Sequence, residues 1–188
     1  MPVTYIERSL EPVLKKAARE FPAVVLTGPR QSGKTTLLKH LFGGKYRYVS
    51  LEPPDVRAAA AEDPRGFLEM NAQPVIFDEV QYTPDLLPYL KERIDADRDR
   101  AGQYLLTGSQ NLLLMEKVAE TLAGRAAMLR LLPLSRRETD GHPHAPLPWE
   151  PRHRKETNGK IAYRDLWRGL LRGGYPELIA NPGRDANL

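Results

Sequence analysis

The chain has 188 residues, of which 41% are hydrophobic and 28% charged, and its formal net charge is +4. This composition is typical of a globular domain with one core, and the length allows one domain and part of a second. The sequence contains no cysteine, which excludes disulfides, thiolate metal sites and thiol nucleophiles and favours a cytoplasmic location. No apolar run approaches the ~18 residues of a membrane span, and the N-terminal residues lack a signal-peptide core, so no membrane partner is expected.

Apolar runs and amphipathic segments alternate along most of the chain. In chain order they predict a helix at 7–21, a strand at 23–27, a loop at 28–35, a helix at 36–42, a strand at 46–51, a helix at 55–62, a strand at 75–78, a helix at 86–94, a strand at 104–107, a helix at 112–122 and a strand at 127–132. This alternation predicts an α/β fold in three layers, with a five-stranded, mainly parallel sheet and helices on both faces.

The character of the sequence changes near residue 136. The stretch 136–160 is rich in proline, histidine and charge, which is typical of a linker or an extended loop. A last amphipathic segment at 161–171 precedes Gly173-Gly174-Tyr175-Pro176. We therefore expect a sheet domain at 1–135, a linker at 136–160 and a partial helical segment at 161–188.

The loop after the first predicted strand carries the clearest motif. Residues 28–35 match G-x-x-x-x-G-K-[ST] in full, between a strand and a helix, as phosphate binding requires. Glycines let such a loop curl, so that backbone N–H groups and the positive helix end converge on phosphate oxygens. Lys34 is expected to reach the β- and γ-phosphates, and the Thr35 hydroxyl to ligate Mg²⁺. The predicted nucleotide contacts are Gly28, Pro29, Arg30, Gln31, Ser32, Gly33, Lys34, Thr35 and Thr36.

Two carboxylates follow the third predicted strand. Asp78 and Glu79 stand at its carboxyl end, which is the edge at which open parallel sheets bind ligands. Asp78 is predicted to hold Mg²⁺, often through water, and Glu79 to polarise a water for attack on the γ-phosphate. A plain turn is the alternative for the pair. Because a strand and a helix separate the two motifs, we expect another strand to lie between the motif strands in the sheet.

With these residues in place, the chain resembles the AAA-type ATPases of bacteria and archaea. It is most similar to a group that contains LTGPRQSGKTTLL, VIFDEVQ, LLTGSQN and LAGR, followed by a C-terminal domain of unknown function that begins near GGYPE. The resemblance covers the chain from Tyr5 to Glu177 and implies ATP as the nucleotide. Since the chain ends soon after Glu177, we expect 161–188 to hold only the start of that domain.

The resemblance also implies roles for residues outside the two motifs. Ser109 is the first choice for a polar sensor of the γ-phosphate or the attacking water, with Gln110 and Thr107 next. Arg125 resembles an arginine finger that acts on a nucleotide of its own or of a neighbouring subunit, and the second case requires a homo-oligomer. A hydrogen-bonded turn and a surface arginine are the alternatives. Gln81 is a weaker candidate for contact with the water.

The leading prediction for function is Mg²⁺-dependent ATP binding and hydrolysis, with a protein or nucleic-acid target that the sequence does not identify. A nucleotide-gated binding module with little turnover is the alternative from another class. A P-loop kinase would need an acceptor site and an arginine-bearing lid, and no lid is evident. A GTPase is disfavoured because the guanine-reading Asn-Lys-x-Asp motif is absent from the sequence.

Overall fold

The structure is a computed structural model that describes residues 5–109, 112–146, 150, 162–181 and 183. Tertiary contacts divide the chain into two units. One comprises Leu10–Leu132, and the other comprises Met1–Ser9 with Pro133–Leu188. The domain boundaries expected at 135 and 160 stay predictions.

A five-stranded sheet forms the centre of the unit Leu10–Leu132. Its strands are β1 (Ala23–Gly28), β2 (Arg47–Ser50), β3 (Val75–Asp78), β4 (Tyr104–Ser109) and β5 (Ala126–Arg130). They lie in the order β2-β3-β4-β1-β5, and every pairing is parallel. The predicted α/β fold is confirmed, with an entirely parallel sheet. The strand expected between the motif strands β1 and β3 is β4.

Helices connect the strands of this sheet. They are α1 (Glu11–Glu20), α2 (Lys34–Phe42), α3 (Pro54–Glu62), α4 (Pro64–Met70), α5 (Leu87–Ala96) and α6 (Leu112–Thr121). The sequence patterns missed α4 because Pro64 and Gly66 interrupt them. The Asp63 side chain accepts the Gly66 N–H and caps this helix, which satisfies one of the free N–H groups of its first turn.

Both faces of the three central strands β1, β3 and β4 are buried, whereas the edge strands β2 and β5 are partly exposed. The connection β1–α2–β2 runs in one direction along the sheet, and the later connections run in the other. Because such crossovers are right-handed, α2 lies on one face of the sheet and α3–α6 lie on the other face. Val25, Phe77 and Leu106 belong to a core cluster shared with α3–α6, while the alternate residues of the same strands are also buried.

The second unit contains short helices. They are α7 (Arg136–Thr139), α8 (Tyr163–Arg172) and α9 (Pro176–Ala180). A capping box of Ser135 and Glu138 starts α7, so a helical turn opens the stretch 136–160, whose role as a linker stays a prediction. Buried Glu138 also accepts hydrogen bonds from the Ser9 N–H at 2.8 Å and from Arg8 Nε at 3.1 Å. No helix among the described residues is both long and apolar enough to span a membrane.

Candidate functional site

The phosphate-binding motif forms the turn between β1 and α2. Gly28 has φ +152°, and Gly33, which precedes α2, has φ +93°. A Cβ on Gly28 would overlap the Leu131 carbonyl oxygen, so this position requires glycine. Gln31 adopts φ +60°, a conformation that costs a residue with a side chain about 1 kcal/mol or more. The motif therefore adopts a tight, strained turn of the kind found at functional sites.

Lys34 lies inside this turn. Its side chain is buried, and Nζ donates hydrogen bonds to the carbonyl oxygens of Gly28 (3.1 Å) and Pro29 (2.9 Å). Burial lowers the pKa of Lys34, and the nearby carboxylates of Glu79 and Asp78 partly oppose this shift. The cation is therefore held by neutral carbonyl groups within the loop that is predicted to receive the phosphates.

Asp78 is the centre of the polar network at this edge of the sheet. Its side chain is only 5% exposed. It accepts hydrogen bonds from three hydroxyls: Thr35 Oγ1 (2.9 Å to Oδ2 and 3.2 Å to Oδ1), Tyr48 Oη (2.7 Å to Oδ2) and Thr107 Oγ1, which donates to Oδ1. These donors come from α2, β2 and β4. Because β3 lies between β2 and β4, the strand order brings them together around one carboxylate.

Thr35 and Asp78 fit a magnesium ion. A threonine hydroxyl can donate its hydrogen to Asp78 and keep its lone pairs for a metal. A carboxylate offers about four lone-pair sites, one more than the three hydroxyl donors seen here. Oxygen atoms are the ligands that Mg²⁺ prefers, and it usually retains several waters. Thr35 would therefore ligate the ion directly, and Asp78 would hold it through water.

Glu79 is linked to the end of β4. It adopts φ +62°, and its N–H donates to Thr107 Oγ1 at 3.2 Å. Its Oε2 accepts a hydrogen bond from Gln81 Nε2, while Gln81 Oε1 accepts the Ser109 N–H at 3.2 Å. Ser109 thus contacts this network through its backbone, and Thr107 contacts both acidic residues. Gln110 lies outside the described residues.

The structure brings most of the predicted site residues to one edge of the sheet. Pairing of Gly28 with Ser109 places the start of the loop beside the end of β4. Within the loop, Ser32 is buried and Pro29 partly so, whereas Arg30 and Gln31 are exposed. Thr36 is exposed on the first turn of α2. The contacts predicted between these residues and a nucleotide stay predictions.

Arg125 lies at the opposite edge. Its carbonyl oxygen accepts the N–H of Ala23, the first residue of β1, at 3.2 Å. The phosphate loop begins at the other end of β1, about 16 Å away at 3.3 Å per residue. The Arg125 guanidinium pairs with both oxygens of Asp95, at 2.6 and 2.9 Å. Contact with a nucleotide on the same chain is incompatible with this placement, whereas contact with a neighbouring subunit's nucleotide stays a prediction.

Tyr48 is a site residue that the sequence analysis missed. Besides its hydrogen bond to Asp78, its ring lies beneath the Lys39 ammonium, with Nζ 3.6 Å from the ring centroid. Burial, followed by the hydrogen bond to Asp78, raises the pKa of Tyr48, so the phenol stays protonated and remains a donor. A tyrosine in a predicted strand is typical of packing, and only the position of β2 beside β3 could have indicated this contact.

The family model described as AAA domain matches residues 20–139, which contain the loop, the acidic pair and Arg125. This chain belongs to the AAA domain family. Two uncharacterized proteins, one from Mycobacterium bovis and one from Mycobacterium tuberculosis, are each 35% identical to it over 164 residues. The match covers 87% of this chain but only 32% of each relative, so the chain spans about a third of their length.

A solved structure is similar in fold. The Walker-type ATPase PABY2304 of Pyrococcus abyssi superimposes with a TM-score of 0.58 over 94% of this chain and 66% of its own. Its sequence identity is 14%, so this likeness supports the fold alone. Together, the family and the fold identify an AAA-type P-loop ATPase domain.

Proposed function

We propose that this domain binds ATP with Mg²⁺ at the carboxyl edge of the sheet and hydrolyses it to ADP and phosphate. The observation that carries the proposal is the polar cluster at the buried carboxylate of Asp78, which accepts the Thr35 hydroxyl and is linked through Thr107 to the Glu79 backbone, directly beside the phosphate-binding turn. Such a cluster supplies, at one position, the groups that phosphoryl transfer to water requires.

Binding would rest on the loop and on Lys34. Backbone N–H groups of residues 28–35 and the N-terminus of α2 would cradle the phosphates. The Lys34 ammonium would exchange its two carbonyl partners for oxygens of the β- and γ-phosphates, which gains a full opposite charge. A bound Mg²⁺, held by Thr35 and through water by Asp78, would neutralise charge on these oxygens.

Hydrolysis would use Glu79. Its carboxylate would accept a proton from a water whose oxygen attacks the γ-phosphorus, and the bond to the β–γ bridging oxygen would break to release ADP. To do so, Glu79 must turn from its hydrogen bond with Gln81 toward the phosphate. Thr107 and the end of β4 would keep the Glu79 backbone in place.

Phosphate release in the presence of Mg²⁺ and ATP tests this proposal. The wild type is compared with Glu79→Gln, which keeps the size of the side chain but cannot accept the proton. We expect Glu79→Gln to lose turnover by about 10²-fold or more while it still binds ATP, and GTP serves as the specificity control. Equal turnover in both proteins would exclude Glu79 as the group that activates the water.

One observation favours a second candidate function. The Glu79 carboxylate is already bound by Gln81, which in turn contacts the Ser109 backbone. A domain in which this arrangement persisted with nucleotide bound would act as a nucleotide-gated binding module with little turnover. Tight ATP binding together with phosphate release no faster than that of Glu79→Gln would favour this candidate. Self-association, a protein or nucleic-acid target and a cytoplasmic location stay predictions.

A further inference from the structure

Tyr48 contacts the site from a strand that contains neither motif. Its hydroxyl donates to Asp78 Oδ2 at 2.7 Å, and the Asp78 side chain is only 5% exposed. A hydrogen bond to a buried charged group is stronger than one between neutral groups. Because water has little access to this carboxylate, it cannot readily replace the phenol. Tyr48 is therefore one of the groups that fix the orientation of Asp78.

The other side of Tyr48 contacts the helix that follows the phosphate loop. Lys39 Nζ lies 3.6 Å from the centroid of its ring. Lys39 follows Thr35 by four residues on α2, so both side chains lie on the same face of that helix. Since Thr35 also donates to Asp78, Thr35 and Lys39 of α2 are linked to each other through Asp78 and Tyr48.

The distribution of donors over the two carboxylate oxygens shows what Tyr48 adds. Thr35 reaches both oxygens, Thr107 donates to Oδ1 and Tyr48 donates to Oδ2. With one further donor on each oxygen, the carboxylate is held on both sides and cannot rotate away from Thr35. Without the phenol, Oδ2 would retain only the hydroxyl of Thr35, whose oxygen is the one predicted to bind the metal.

We propose that Tyr48 is a positioning residue that aligns the Asp78 carboxylate with Thr35, so that the magnesium site is preformed. The inference rests on the proposed function, because it concerns the metal that accompanies the nucleotide. In this proposal, the Tyr48 hydroxyl affects how much Mg²⁺ the nucleotide site needs, whereas the aromatic ring of Tyr48 contacts Lys39. If Tyr48 served only in packing, its aromatic ring would be sufficient and its hydroxyl would have no effect.

The Tyr48→Phe variant of the full chain separates these two roles. A fluorescent ATP analogue is bound to the protein in EDTA and then during a titration with MgCl₂. We expect Tyr48→Phe to need on the order of tenfold more Mg²⁺ for half-maximal tightening, while its affinity in EDTA is unchanged. The control is Tyr46→Phe, which removes a phenol from a ring that packs against Phe42 with centroids 5.3 Å apart. This control should titrate like the wild type.

Thermal unfolding gives a second measurement on the same proteins. A ligand that binds only the folded state raises the melting temperature according to its affinity. With Mg²⁺ near the wild-type midpoint, ATP should therefore raise the melting temperature of Tyr48→Phe less than that of the wild type, whereas in EDTA ATP should raise the melting temperatures of both proteins by the same amount.

Three outcomes would overturn the inference. Equal Mg²⁺ midpoints for Tyr48→Phe and the wild type would show that the phenol does not position the carboxylate. An equal loss of affinity with and without Mg²⁺ would show a purely structural role. Wild-type protein whose nucleotide binding does not respond to Mg²⁺ would overturn the proposed function together with this inference, whereas the first two outcomes leave that function intact.

Discussion

The two edges of the sheet satisfy their charged groups in different ways. At the carboxyl edge, Asp78 is bound by hydroxyls and Lys34 by backbone carbonyls, all of them neutral. At the amino edge, Arg125 and Asp95 pair with each other through two hydrogen bonds. Both edges carry residues for which the sequence predicts a catalytic or metal-binding role.

This difference indicates which edge is prepared for a ligand. A charge held only by neutral groups can exchange some of them for an oppositely charged ligand and gain a direct attraction between opposite charges. A charge already paired with an opposite charge gains little from the same exchange. If the proposed function holds, the carboxyl edge would receive phosphate and metal, whereas the ion pair at the amino edge would contribute to stability.

Lys34→Ala should have the largest effect at the carboxyl edge. The variant removes the cation that would pair with the β- and γ-phosphates, so we expect ATP affinity to fall by about 10²-fold, the effect of one buried charge pair. Because Lys34 is buried on neutral partners and burial lowers its pKa, the unliganded variant should melt no lower than the wild type. Calorimetric titration and thermal unfolding measure the two effects. If Lys34→Ala bound ATP as tightly as the wild type, the proposal that the loop at 28–35 binds the phosphates would be wrong.

Gln81→Ala should have a smaller effect, confined to turnover. It removes the link between Glu79 and the end of β4. We expect ATP affinity to stay constant and the rate of phosphate release to change by about tenfold, because misplacement of a catalytic group costs up to ~10²-fold. A faster rate would show that Gln81 holds Glu79 back, and a slower rate that it orients it. An unchanged rate would mean that the link does not control Glu79.

The sequence contained enough to predict which residues meet at the carboxyl edge, but not the partner of Arg125 at the amino edge. The motif at 28–35 and the acidic pair stand at strand ends, and the carboxyl ends of parallel strands share one edge, so their meeting around Asp78 followed from local patterns. The spacing of the motifs also indicated an intervening strand, which is β4. Arg125 directly precedes β5, so the same rule places it at the amino edge, whereas its pairing with Asp95 depends on tertiary structure.

The contacts of Tyr48 and Ser109 could not be predicted for a similar reason. Tyr48 lies in a strand with no motif, and its role depends on the pairing of β2 with β3. The sequence predicts a polar contact for Ser109, and the contact with Gln81 is made by its backbone N–H and not by its side chain. Pairing partners and the choice between backbone and side-chain donors depend on tertiary structure, which local sequence patterns do not specify.

Arg125→Ala should have the smallest effect, and it tests the amino edge. Since the Arg125–Asp95 pair is partly exposed, we expect the melting temperature to fall by only about 2 °C. The hydrogen bond from Arg125 lowers the pKa of Asp95. The stabilisation of the fold by the Arg125–Asp95 pair is therefore fully present at pH values above the ordinary pKa of an aspartate, about 4. It is lost as the pH falls through the lowered pKa of Asp95. The stability difference between Arg125→Ala and the wild type should accordingly disappear in acid, as should that of Asp95→Ala.

Turnover at different protein concentrations then separates the two roles proposed for Arg125. In dilute protein, Arg125→Ala should bind and hydrolyse ATP like the wild type. The reason is that the Arg125 guanidinium of the wild type is held at the amino edge, away from the phosphate loop. If a neighbouring subunit supplies Arg125, the specific activity of the wild type should rise with protein concentration and that of Arg125→Ala should not. A loss of ATP affinity in dilute Arg125→Ala would instead require Arg125 to reach the loop of its own chain, and the division of roles between the two edges would be wrong.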